Sequence, residues 1–162
     1  MKAYQVFARM SPERTHALLE SLREGAPAVY TQALAAASAW LRARPQFVRK
    51  QSPAKRAQLV RQALARVSTS IVAEEVLAAY FLQVKKPLLI EWLDAVGLEH
   101  EDGGLKSDAP PEPARSVLEK ALAAYRAKPD DTADRELLLE AFAAQSAIDW
   151  PALEELIEAK PG

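Results

Sequence analysis

Proline and serine cut this chain into pieces of helix length. Ser11-Pro12 and Ser52-Pro53 each put a hydroxyl just before a helical stretch, where it accepts from an orphan backbone N–H. Each also puts a proline at the first helical position, where its missing N–H costs nothing. The first pair predicts a helix to about Arg23, ended by Gly25 and Pro27. A second helix follows over about 28–43, before Pro45, and "PQFVRK" adds a turn. The second pair opens a helix to about Val67, broken by "STS". Another helix covers about 71–85, and Pro87 starts a short one, "PLLIEWLDAV".

A shift of 41 residues aligns the two Ser-Pro pairs, Leu18-Leu19 with Leu59-Val60, Trp40-Leu41 with Phe81-Leu82, and Phe47-Val48 with Leu88-Leu89. A third copy, with insertions, runs from "VLEKALAAY" through "ADRELLLEAFAAQSA" to "PALEELI". Helix pairs at a period near 40 residues are the mark of an α-solenoid. The chain is therefore expected to be all-α. It is either a helical bundle or a short α-solenoid of two to three helix-pair repeats, HEAT- or armadillo-like in architecture only. One all-helical domain is expected over 1–162, with candidate units at 11–50, 52–97 and 111–160. Residues 98–110 are the connector, and the proline-rich stretch 105–113 looks extended, with little to pack.

Composition supports helix. Alanine, leucine, glutamate and arginine dominate, and an apolar share of 49% with 27% charged residues belongs to a folded chain. In 54–67, Ala57, Val60, Ala63, Leu64 and Val67 share a face opposite Lys55, Gln58, Arg61, Gln62 and Arg66. Apolar residues spread around much of 71–85 and 134–148, which predicts two central helices. The start lacks the apolar core of a signal peptide, and no apolar run approaches the roughly 20 residues of a membrane span. The expectation is a cytoplasmic protein without membrane contact.

A net charge of −1 hides a polarity. Residues 1–70 carry 12 Lys and Arg against three acids, and residues 71–162 carry nine against 19. No acid lies between Glu24 and Glu74. Arg42, Arg44, Arg49, Lys50, Lys55, Arg61 and Arg66 fall there and form the candidate partner surface. A protein partner is the first expectation, and opposite-sign patches would also serve a homo-oligomer. The alternative is nucleic-acid binding through 42–66, where "RKQSPAKRAQLVRQALARV" imitates a helix-turn-helix.

Catalytic signals are weak. There are no cysteines, which excludes disulfides, thiolate metal sites and cysteine nucleophiles. The five glycines form no phosphate loop, no G-x-S-x-G elbow is present, and Ser68, Thr69, Ser70 and Ser146 have no histidine nearby in sequence. "GLEHEDGG" gathers Glu99, His100, Glu101 and Asp102, the weak candidates for a metal-dependent enzyme. A structural account competes: Gly97 suits a left-handed helix stop with Leu98 packing back on Leu93, and "DGG" suits the tight turn of a small β-hairpin near 98–107. "DDTAD" matches the DDxxD pattern of all-helical isoprenoid synthases over five residues only. After Pro129 it reads as a helix start, with aspartates capping N–H groups. Trp40, Trp92 and Trp150 are expected to pack between helices, and any exposed one becomes a docking candidate. No catalytic residue and no cofactor is assigned.

Overall fold

The computed structural model describes residues 1–159. Among them are ten helices and one two-stranded hairpin, so the fold is all-α. The helices are α1 (Ala3–Arg9), α2 (Pro12–Gly25), α3 (Pro27–Leu41), α4 (Pro45–Arg49), α5 (Pro53–Leu64), α6 (Ser70–Ala79), α7 (Lys86–Ala95), α8 (Arg115–Ala127), α9 (Thr132–Ala143) and α10 (Pro151–Glu158). A 3₁₀ turn, Val67–Thr69, leads into α6, and a π-turn, Tyr80–Val84, continues it. Two compact units result, one of residues 2–84 and one of residues 85–159 with Met1.

The punctuation works as physics requires. Ser11 Oγ accepts from Arg14 N at 3.1 Å, and Ser52 Oγ accepts from Lys55 N at 3.2 Å. Pro12, Pro27, Pro45, Pro53, Pro87 and Pro151 all stand in a first turn, where no hydrogen bond is lost.

In the first unit α2, α3 and α5 pack together, and α6 lies against α1 and α3. Phe7, Leu18, Leu22, Val60, Leu64 and Leu77 fill the core. Gly25 allows a close approach: a Cβ there would stand 3.0 Å from Val84 Cγ2. In the second unit α7, α8, α9 and α10 surround a chain of edge-to-face rings. Tyr125 meets Trp92 at 5.5 Å, Trp92 meets Phe142 at 6.0 Å, and Phe142 meets Trp150 at 5.2 Å between centroids. The charge polarity follows this division. Residues 2–84 hold 12 Lys and Arg against five acids, and residues 85–162 hold nine against 17.

Five expectations need correction. α5 ends at Leu64, so Val67 leaves the apolar face and is 71% exposed. The cause is Thr69, whose hydroxyl donates to Ala63 O at 2.6 Å and turns the chain into the 3₁₀ segment. The helix over 70–84 is buried on one side only, since Ile71 is 75% exposed. The connector does pack: Pro110 is buried, its carbonyl accepts from Trp150 Nε1 at 2.9 Å, and Glu112 Oε1 accepts from Ala152 N at 2.7 Å, capping α10. Asp131 stands at the N-cap of α9 but makes no side-chain cap, and it pairs with Lys85 instead. Finally, Val67–Val84 is long and apolar enough to cross a membrane by length and composition, although two acids interrupt it. A third of that segment is buried in the unit, and the core helix of a globular unit passes the same test.

Candidate interaction surface

The candidate cations lie on the first unit, from the end of α3 through α4 to just beyond α5. α3 closes with a Schellman stop: Ala43 N–H donates to Ser38 O at 3.0 Å and Arg42 N–H to Ala39 O at 3.2 Å. The left-handed position of that stop is held by Arg42, at φ 54° and ψ 38°, where glycine is the economical residue. Ser38 Oγ secures the turn by donating to Ala43 O at 2.6 Å. Pro45 then starts α4, a single turn anchored by buried Val48, which presents Phe47 to solvent at 52% exposure. Ala43, Arg44, Gln46, Phe47 and Lys50 line a shallow depression there.

The seven candidate cations divide into two groups. Arg61 is structural: its Nε donates to Met10 O at 2.5 Å and its Nη2 to Ala8 O at 3.1 Å, satisfying carbonyls at the end of α1. Arg66 lies over the Trp40 ring at 5.0 Å. Among the described residues the Lys55 ammonium reaches only Gln58, at 3.3 Å. Arg42, Arg44, Arg49 and Lys50 have no ion pair and no side-chain hydrogen bond among the described residues. Arg56, outside the candidate set, donates Nη1 to Arg49 O at 3.2 Å and ties α5 to the end of α4.

The second unit treats its cations differently. Lys85 pairs with Asp131 and Asp134, Lys86 with Asp102, Arg115 with Glu119 and Glu155, Arg126 with Glu136, and Lys128 with Glu91. Arg135 is buried and bonds Glu91 Oε2 at 2.9 Å and Asp130 Oδ2 at 3.0 Å, with its guanidinium over the Tyr125 ring. Burial alone would raise the Glu91 carboxyl, but hydrogen bonds from Lys128 and Arg135 hold it below its ordinary value. The hydrogen bond from Arg135 likewise lowers Asp130, and burial pushes the Tyr125 phenol up. Tyr125 donates its hydroxyl to Leu88 O at 2.9 Å. The "DDTAD" aspartates are thus committed to Arg135 and Lys85 rather than directed at an open site.

The "GLEHEDGG" loop is the hairpin. β1 (His100–Glu101) pairs antiparallel with β2 (Gly104–Leu105) across Asp102 at φ 52° and Gly103 at φ 92°, the signs of a type I′ turn. Gly97, at φ 74°, ends α7, with Leu98 N–H donating to Leu93 O at 2.9 Å. Gly103 N–H donates to His100 Nδ1 at 3.2 Å, so Nε2 carries the ring hydrogen and donates it to Asp94 Oδ1 at 2.7 Å. Asp102 pairs with Lys86, while Glu99 and Glu101 are exposed. The four candidate ligands therefore do not converge, and among the described residues no three His, Asp or Glu side chains are placed to hold a metal ion.

Trp92 and Trp150 are buried, whereas Trp40 is half-buried. Sequence periodicity missed α1, although Ala3, Val6 and Phe7 carry its helical spacing. It also missed Phe47 as an exposed ring, because an aromatic beside valine reads as core. No protein-family model matches the chain, and no curated protein or solved structure matches it.

Proposed function

We propose that the chain is a non-catalytic protein–protein interaction module that docks an acidic partner on Arg42, Arg44, Arg49 and Lys50. One contrast carries this reading: the second unit pairs most of its cations internally, and these four are left unpaired among the described residues, with Arg44 and Lys50 lining a depression beside an exposed phenylalanine. Unpaired cations speed encounter with an acidic surface and set its register, while a ring among them supplies apolar contact. The test is capture from host lysate by the wild-type chain and by an R44E/R49E/K50E variant, each with and without nuclease. The reading expects a defined protein retained by the wild type after nuclease and lost with the variant. Equal retention by both would remove it.

A second reading, nucleic-acid binding, draws on the same Phe47, since a ring among cations is what a stacking platform for a single strand requires. Loss of the captured material on nuclease treatment would favour it.

A further inference from the structure

A second depression lies beside the cationic surface. It is lined by Tyr4 and Ala8 of α1, Trp40 of α3, Arg61 and Gln62 of α5, and the Ala65–Val67 segment beyond it. Its apolar character is unspent. Val67 in its lining is 71% exposed, and Trp40 is the one tryptophan not buried. Its charge has one sign: no acid lines it, and Arg61 and Arg66 are its ionic groups. Arg66 lies over Trp40 with no carboxylate partner among the described residues, so the indole face is the counterpart of its guanidinium. The nearest acids along α6 are Glu74 and Glu75, and Glu75 is occupied by Gln32 Nε2 at 2.6 Å.

The linings of the two depressions come within three residues of each other along the chain. Trp40 lines one and Ala43 the other, and three residues of chain span at most about 11 Å. Resting on the interaction-module reading, we infer that the partner presents an acidic amphipathic helix. Its leucine or phenylalanine anchors enter the Tyr4–Trp40–Val67 groove, and its carboxylates meet Arg66, Arg42 and Arg44. Charge complementarity selects the acidic partner, and the exposed apolar lining requires anchors that a purely acidic tail lacks.

The probe is a synthetic peptide of about 15 residues, long enough for helical anchors at i, i+3, i+4 and i+7, built from glutamate and leucine. It is compared with an isomer of the same composition scrambled to abolish the apolar face, with oligoglutamate, and with single-stranded oligothymidine. Affinity is read by anisotropy of the labelled probe, and Trp40 emission by fluorescence, with Trp40→Phe identifying the signal. The amphipathic peptide is expected to bind about tenfold tighter than its scrambled isomer and to shift Trp40 emission to the blue. Val67→Glu, at an exposed site that circular dichroism checks for folding, is expected to lose that tenfold. Equal binding of the two isomers, or unchanged binding by Val67→Glu, overturns the groove and leaves the cationic surface standing. No binding of any acidic peptide at low salt overturns both, and tighter binding of oligothymidine transfers the surface to nucleic acid.

Discussion

The guanidinium of Arg135 lies 4.8 Å from the centre of the Tyr125 ring while its nitrogens hold Glu91 and Asp130. The arrangement joins α7, the turn before α9 and the buried ring chain of the second unit. A buried cation is tolerated only when its donors are used, and here Nε, Nη1 and Nη2 all have acceptors. Arg135→Ala is expected to cost about 3 kcal/mol of stability, because it removes a buried cation from the ring cluster and leaves the partly buried Glu91 carboxylate with Lys128 alone. Arg135→Met, which keeps an unbranched apolar side chain in the buried site, is expected to cost less. Urea unfolding of both variants measures the difference.

The same network makes stability depend on pH from the acid side. The Glu91 carboxyl lies below its ordinary value of 4.5 in the folded chain. It therefore contributes stability that is complete above that value and is lost as pH falls through the folded value. Asp130 acts with the same sign. Glu91→Gln is expected to be less stable than the wild type at neutral pH. The gap between their urea midpoints should narrow progressively below pH about 4.5. A gap independent of pH would show that the ion pair is not the source.

Much of the local structure was legible because its causes are local. Ser11, Ser52, Gly97 and the Asp102-Gly103 turn act through hydrogen bonds and dihedrals within a few residues, and each sits where the sequence puts it. What could not be read depends on partners far along the chain. Arg61 looks like one more exposed cation until α1, over 50 residues away, offers it the carbonyls of Ala8 and Met10. The connector looks loose until Trp150 finds Pro110. Val67 fits the apolar face of α5 by periodicity, but the Thr69 hydroxyl ends that helix first. Of the candidate surface, the charge was visible from sequence, and the division between working and unpaired cations was not.

Gly97 separates backbone strain from crowding. Its φ of 74° is left-handed, yet a Cβ there would meet nothing within 4 Å. Gly97→Ala is thus expected to cost about 1 kcal/mol through the dihedral alone, without a cavity or clash. The loss should appear as faster hydrogen exchange at Leu98 and in the hairpin, with the helices of the first unit unaffected.

His100 tests the metal question directly. Its Nδ1 accepts from Gly103 and its Nε2 donates to Asp94, so a metal would have to break one of these bonds. His100→Ala is expected to loosen the hairpin while leaving zinc titration calorimetry the same as for the wild type. Stoichiometric zinc uptake by the wild type, lost in the variant, would restore the loop as a metal site.

Arg42 offers the sharpest separation of stability from binding. A non-glycine residue in the left-handed position of a helix stop is strained, and its side chain forms no ion pair among the described residues in return. Arg42→Gly relieves the dihedral and removes the charge together. The relief is set against the larger backbone freedom that glycine gives the unfolded chain, so the net gain is expected to be about 0.5–1 kcal/mol. If Arg42 belongs to a docking surface, the more stable variant binds the acidic amphipathic peptide more weakly, and the loss shrinks as salt is added. Undiminished binding by Arg42→Gly would remove Arg42 from the surface and leave Arg44, Arg49 and Lys50 to carry it.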